Sequence, residues 1–248
     1  MDPTTRARLL AINERFYREH GRAFDATRQA PWPGFASVLE HLPPTRPLRV
    51  LDVGCGNGRF LGALEARLPA AELCYLGIDA SQTLLGPARE RHRGEHARFT
   101  QCDFLSPAPA AALPPGPFDL VALFGVLHHV PGDALRTELL AACAKRLAAG
   151  GLLALTFWCF DRDPRLARRR IEPAALTPPL SPEQLEPGDH LLGFGAVPDA
   201  VRYCHLSDGA ERTRLLDALA LEEVARFDDD GAALPLNHYA LLRAAPIR

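Results

Sequence analysis

Read for its spacing of apolar and polar positions, the chain opens on a helical pattern. Leu9, Ile12 and Phe16 fall on one face of a segment reaching about His20, and Asp2-Pro3 supplies a capping acid followed by proline at the first helical position. A proline-punctuated stretch, Thr27 to Pro33, interrupts before Phe35, Val38, Leu39 and Leu42 resume helical spacing, and Pro43-Pro44 ends that second helix. From Leu48 the texture changes to short apolar runs separated by helical patterns: LRVLDV, a helix over 59–68, LCYLGI, a helix over 81–92, ARFTQC, FDLVALFGV, a helix over 133–148, and LLALTFWCF. Continuous apolar strands joined through helices predict a parallel sheet covered on both faces.

The intervening stretches read differently. The Pro/Ala-rich segment 106–117 predicts a loop. Residues 161–190 show no clean period, carry several prolines and the arginines 162, 165, 168, 169 and 170, and are expected to form an insertion or lid. Order returns near Leu191, and a helix at about 210–220 leads into LEEVARF and HYALLRA. The connection between those last two strands is too short for a parallel crossover, so they are expected to pair antiparallel. The 248 residues are expected to form one α/β domain, with an N-terminal helical cap (1–45), a core (46–160), the insertion (161–190) and a C-terminal segment (191–248).

Composition narrows the classes. Hydrophobic residues at 47% and charged residues at 23% exclude a mainly disordered chain, and a net charge of −2 means that any nucleic-acid contact must come from a local basic patch. The six cysteines form no CxxC pair, which predicts buried free thiols and no metal site. The N-terminus lacks an apolar leader pattern and no stretch approaches 18 uninterrupted apolar residues, so the expectation is a cytoplasmic protein without membrane contact.

The chemistry concentrates after the strands. LDVGCGNGRF is a glycine-rich turn opening a helix, where the backbone of Gly54 and Gly56 bends sharply and the helix start is expected to meet a ligand with a carboxylate or phosphate. Related turns bind dinucleotides. Here Arg59 stands at the last glycine of that fingerprint, which argues against a pyrophosphate. Asp79 closes the second strand in GIDAS about 25 residues after Gly54, where a carboxylate accepts both ribose hydroxyls of an adenosine; a helix-capping role for Asp79 and Ser81 is the other reading. Asp103-Phe104 closes the third strand and offers an acceptor for an adenine amino group beside an aromatic surface, or is an ordinary loop pair.

LDVGCGNGRF, GIDAS, QCDF and FGVLHHV resemble the successive cofactor motifs of the class I S-adenosylmethionine-dependent methyltransferases. The resemblance implies a Rossmann-like mixed sheet of seven strands in the order 3-2-1-4-5-7-6 with strand 7 antiparallel. It also implies S-adenosyl-L-methionine as cofactor, held by Asp52, Gly54, Gly56, Asp79, Ala80, Ser81, Asp103, Phe104 and Phe124. A narrower likeness covers both flanks: FYREHGRAFDATRQAPWPGF and GDHLLGF followed by VRYCHLSDGAERTRLL are similar to segments of the tRNA wobble-uridine carboxymethyl methyltransferases, with departures at Gly193-Phe194 and Cys204. That likeness implies methylation of a carboxylate on a modified tRNA uridine, and relatives of this kind often act with a small zinc-binding activator protein. A small-molecule O- or N-methyltransferase and a cofactor-binding module without turnover are the alternatives.

An ionised carboxylate acceptor needs positioning and a cation more than a base. Arg28, flanked by prolines, is the candidate carboxylate clamp, with a surface arginine as the bland reading. His128 and His129 follow the fourth strand at its ligand-binding end; His128 is favoured to face the acceptor, as a polar clamp or as a base toward a hydroxyl. Trp32, Tyr203 and His205 are candidates for stacking on or hydrogen-bonding a nucleobase, with core packing equally open for Trp32. The arginine cluster 162–170 reads either as a phosphate track or as a solvated face.

Overall fold

In the computed structural model, which describes residues 1–106, 108–195, 197, 199–231 and 234–246, two sheets and eight helices account for the apolar pattern. The helices are α1 (Pro3–Ala26), α2 (Phe35–Leu39), α3 (Arg59–Glu65), α4 (Gln82–Arg91), α5 (Pro109–Ala112), α6 (Asp133–Ala144), α7 (Pro164–Ala167) and α8 (Gly209–Asp217). The strands are β1 (Leu48–Val53), β2 (Leu73–Asp79), β3 (Ala97–Gln101), β4 (Phe118–Leu123), β5 (Leu147–Trp158), β6 (Arg170–Ile171), β7 (Asp189–Gly193), β8 (Val201–His205), β9 (Glu222–Asp229) and β10 (Asn237–Arg243).

The large sheet has the order β3-β2-β1-β4-β5-β10-β9. Its first five strands run parallel, and β10 lies antiparallel between β5 and β9. Three strands of a second sheet intervene in the chain, so the sixth and seventh strands of this sheet are β9 and β10, and the order is the 3-2-1-4-5-7-6 that the resemblance implies. The central strands β1, β4 and β5 are largely apolar because both faces are covered, whereas the outer strands β3 and β9 carry polar residues at exposed positions. Leu51 and Val53 point to one core with Val121, Leu123, Leu153 and Leu155, where α6 and α8 pack. Leu48 and Val50 point to the opposite core with Leu120, Ala122, Phe35, Phe60 and Leu64.

Several expectations need correction. The first helix runs on to Ala26, six residues past His20, because nothing before Thr27 breaks it. The sixth helix ends at Ala144 and β5 already begins at Leu147. The 106–117 loop contains the single helical turn α5, started by Pro109. The segment 161–190 is not patternless: it holds α7, β6 and the start of β7, and β6-β7-β8 form a three-stranded antiparallel sheet that strand-by-strand reading missed because its elements are two to five residues long. Of the six thiols four are buried, whereas Cys74 is exposed and Cys102 half-buried.

The small sheet is fastened under α1 and beside α6 by a buried polar network. Leu9 of α1 packs on Leu180, Leu191, Val201 and Tyr203. Arg136 of α6 donates to Glu186 and Glu211, while His205 pairs with Asp189 at 2.7 Å and with Glu211 at 2.8 Å. Glu186, Asp189 and His205 lie close enough to chelate an ion, yet Arg136 and the Tyr203 hydroxyl already neutralise or bond these carboxylates, so the cluster is an ion-pair network. No helix among the described residues is long and apolar enough to cross a membrane.

Candidate active site

Past the end of β1 the chain turns through Gly54, Gly56 and Gly58, all with positive φ. The turn is held by the backbone N–H groups of Gly54 and Cys55, which donate to the Ile78 carbonyl at 2.8 and 3.0 Å. A Cβ at Gly54 would stand 2.4 Å from Val126 Cγ2, so only glycine fits there. A Cβ at Gly56 would meet nothing nearer than Leu84 at 3.9 Å, so the backbone there lies open to the cavity in front of it. That cavity, about 1530 Å³, runs along the carboxyl ends of β1, β2, β4 and β5 beneath α1.

Asp79 organises its floor. One carboxylate oxygen accepts from Gly56 N at 2.9 Å and the other from Ser81 N at 2.8 Å, so the acid ties the glycine turn to the start of α4. Burial pushes its carboxyl up, against the pull of these two N–H groups. Asp52, 3% exposed, accepts from the Tyr75 hydroxyl at 2.6 Å, and burial raises it to about 7. Ser81 precedes α4 in the capping position without making a capping bond, and its buried hydroxyl has no partner, so the capping reading fails for this side chain. Ala80, Phe104 and Phe124 line the same cavity. Asp103 also lines it, but two residues beyond the end of β3, in an exposed turn where it accepts from Leu105 N.

These residues fit an adenosyl group. Asp79 and the exposed Asp103 offer acceptors for hydroxyl and amino groups, Phe104 an aromatic surface, and the open face of Gly56 lets a ligand reach the backbone.

At the other end of the cavity the N-terminal segment closes over β4. Asn57 of the glycine turn donates to Asp25 Oδ1 at 2.6 Å and to the Arg28 carbonyl at 2.9 Å. Asp230 accepts from Gly34 N and from Asn237. Between these anchors Trp32 is half-buried, with its ring 3.1 Å from where a Gly125 Cβ would lie and the Arg59 guanidinium over it at 4.8 Å. Arg28 lines the cavity half-exposed, donating to Thr27 at 3.0 Å and lying over Phe24 at 4.6 Å; burial and the neighbouring Arg202 charge lower its pKa.

The two histidines separate clearly. His129 donates from Nδ1 to the Tyr203 carbonyl at 3.0 Å, which leaves Nε2 to accept from the Tyr17 hydroxyl at 2.8 Å. Both nitrogens are used and burial lowers its pKa to about 3, so His129 is a neutral brace between α1, β4 and β8. His128 is 8% exposed and stands 4.8 Å from the Trp158 ring. Its Nδ1 is without a partner, and burial together with the His129, Arg202 and Arg28 surroundings keeps it neutral.

Tyr203 and His205 are misplaced by the sequence reading. Tyr203 is fully buried, with its hydroxyl on Asp189, and His205 is sealed between Asp189 and Glu211; neither lines the cavity. Strand alternation explains the error: residues 201, 203 and 205 share one face of β8, and the opposite face carries Arg202. Arg202, which residue type alone does not mark as a site residue, lines the cavity at 3% exposure, and its Nε lacks a partner. Of the arginine cluster, Arg162 pairs with Asp228 and Arg165 with Asp163, while Arg168, Arg169 and Arg170 are exposed and Arg169 reaches the cavity rim.

Residues 51–153 match a family model described as a methyltransferase domain. The chain is 34% identical over 140 residues to the tRNA (carboxymethyluridine(34)-5-O)-methyltransferase alkbh8 of Xenopus tropicalis, a match covering 56% of this chain and 20% of that protein. It is 38% identical over 120 residues to the trans-aconitate 2-methyltransferase of Methylobacterium nodulans, covering 48% and 42%. A putative methyltransferase of Encephalitozoon cuniculi is 30% identical over 200 residues, covering 77% of this chain and 78% of that one. The chain thus spans about a fifth of the length of the first of these relatives and less than half of the second. Among solved structures, the 1,6-didemethyltoxoflavin-N1-methyltransferase of Burkholderia thailandensis, with S-adenosylhomocysteine bound, shares the fold at TM-score 0.65 and 20% identity, over 99% of this chain and 91% of that one.

Proposed function

The chain belongs to the class I S-adenosylmethionine-dependent methyltransferases, and within that family we propose that it methylates a carboxylate oxygen, the favoured acceptor being the carboxymethyl group of a modified tRNA wobble uridine. The observation that carries this reading is the charge at the acceptor end of the cavity: three guanidiniums, Arg28, Arg59 and Arg202, line it, the acids Asp25 and Asp230 there are engaged by Asn57 and by Gly34 and Asn237, and both histidines are held neutral. Such an end takes an anion. The flanking segments similar to the wobble-uridine enzymes favour tRNA, as does the exposed run Arg168, Arg169 and Arg170 beside the mouth. A small carboxylic acid is the second reading, favoured by the relative named for trans-aconitate.

When bound, S-adenosylmethionine supplies a methyl group on a positively charged sulfur. Asp79, Ser81 and Asp103 would hold the adenosine by its polar edges, with Phe104 and Phe124 along its apolar side. The acceptor carboxylate is ionised at neutral pH, so a lone pair on its oxygen forms the new C–O bond while the C–S pair returns to sulfur, and no proton moves. Neither histidine therefore needs to act as a base. The chain contributes positioning, which supplies on the order of 7–11 kcal/mol in favourable cases, and an aromatic wall of Phe24, Trp32, Trp158 and Phe194 around the acceptor end.

The test is labelled methyl transfer from S-adenosylmethionine into fractionated extract, RNA against metabolites, with release of the label by mild base marking an ester. Label in tRNA lacking the modification is expected. Label only in the RNA-free fraction selects the small-acid reading, and label stable to base in both refutes ester formation. A zinc-binding activator subunit, if required, shows as a gain in the same assay on adding extract from cells lacking this chain.

A further inference from the structure

The small sheet places one charge where a strand buried on both faces should carry none. Arg202 lies in β8, whose five residues are all buried. Among the described residues no acid pairs with it, and Nε is buried without any acceptor. Burying an unpaired guanidinium is costly, and the surroundings reduce that cost without satisfying the hydrogen-bonding fork. The guanidinium carbon sits 5.2 Å from the ring centre of Phe16, 5.5 Å from Trp158, 5.6 Å from Phe24 and 5.6 Å from Phe194. Four ring faces attract the cation but accept no in-plane N–H bonds. They hold the fork while leaving its donors for something else.

The strand carrying it is pinned at the next residue. Tyr203 N donates to Asn13 Oδ1 at 2.9 Å and Tyr203 O accepts from His129 at 3.0 Å, so α1 and the turn after β4 together fix the Arg202 backbone against the acceptor end of the cavity. The other guanidiniums there differ: Arg59 lies over Trp32, and Arg28 over Phe24. Arg28 is half-exposed, already donates to Thr27, and its charge is partly hydrated.

We propose that Arg202, caged by Phe16, Phe24, Trp158 and Phe194, is the residue that receives the acceptor's carboxylate, with Arg28 a secondary charge at the mouth. The proposal rests on the carboxylate reading given above. A planar fork matches a carboxylate through two parallel N–H···O bonds, and desolvation by the four rings strengthens them. It also gives release a direction: the ester product has lost the charge that the fork binds.

The test uses protein saturated with S-adenosylhomocysteine and two pairs of probes: 5-carboxymethyluridine with its neutral amide, and trans-aconitate with its triamide. Calorimetry reads the acid-over-amide preference in the parent chain and in Arg202→Met, Arg202→Lys and Arg28→Met. The parent is expected to prefer one acid at least about tenfold. Arg202→Met should abolish that preference, Arg202→Lys should restore part of it, and Arg28→Met should keep most of it. The melting temperature of Arg202→Met should hold or rise, because methionine fills an aromatic cage well, whereas an arginine of purely structural role would lower it. Full preference retained in a folded Arg202→Met overturns the assignment and leaves the carboxylate reading standing. No preference for either acid in the parent overturns both.

Discussion

Asp79→Ala tests the cofactor site most directly, because the carboxylate does two jobs at once. It accepts from Gly56 N and Ser81 N, and its remaining lone pairs face the cavity. Hydrogen bonds to a charged acceptor are worth about 1.5–3 kcal/mol each, so two ribose hydroxyls together represent about 3–6 kcal/mol, roughly a hundredfold to ten-thousandfold in affinity. The two backbone donors left bare loosen the glycine turn further. Titration calorimetry with S-adenosylhomocysteine reads the loss, and a thermal melt confirms that the variant is folded. The acid dependence carries a second signature. Since burial raises the Asp79 carboxyl, affinity in the parent chain should fall on acidification at a higher pH than an ordinary carboxylate would dictate, while Asp79→Asn should be weak and flat across that range. A folded Asp79→Ala binding within tenfold of the parent would refute the assignment of this acid to the ribose.

Asp52→Asn should gain stability relative to the parent as pH rises. The fold retains a proton to about 7 that the unfolded chain releases near 4, so the folded parent binds more protons across that window and loses stability through it, by up to about 4 kcal/mol; urea unfolding at pH 4.5 and 8 measures the difference, and equal stabilities at both would count against a protonated Asp52. Tyr17→Phe leaves the buried His129 Nε2 without its donor and should cost about 1–3 kcal/mol in the same measurement, with loss of activity as β8 loosens. Gly54→Ala, at φ +72° and against Val126, should cost at least about 2 kcal/mol and abolish calorimetric cofactor binding. Replacing Arg168, Arg169 and Arg170 by alanine should weaken tRNA binding and flatten its salt dependence by about two to three in log–log slope, leaving trans-aconitate binding unchanged; an unaltered slope would remove the phosphate track.

The main sheet was legible because its signals are local and repeated. Each of β1, β2 and β4 is an apolar run followed by the residues that form the cavity floor, and the short connection between β9 and β10 forces an antiparallel pair. The gathering of Gly54, Asp79 and Phe124 around one cavity follows from the same geometry, since they sit at or next to strand ends that a parallel sheet must bring together. The small sheet was not legible. β6 has two residues and β7 five, too short to show alternation, and what holds the small sheet is long-range: Leu9 on Val201, Arg136 on Glu186, Asn13 on Tyr203.

Within β8 the sequence does contain the decisive signal, in parity. Tyr203 and His205 attract attention by residue type, because rings and imidazoles are what nucleobases meet. Alternation puts them on one face with Val201, and that face is filled by Leu9, Leu180 and Leu191 and by the Asp189 carboxylate. Arg202 and Cys204 then share the other face, and Cys204 packs on Phe160 and Leu192. A lone arginine in a five-residue strand beginning Val-Arg-Tyr must either reach solvent from an edge or find something anionic inside. β8 is an edge strand, but α1 covers it and Arg202 is only 3% exposed, so its guanidinium faces the cavity and not the outer surface. Among the described residues no acid meets it there, and a fork left unpaired at that end of the cavity suits an anionic acceptor of the kind proposed above.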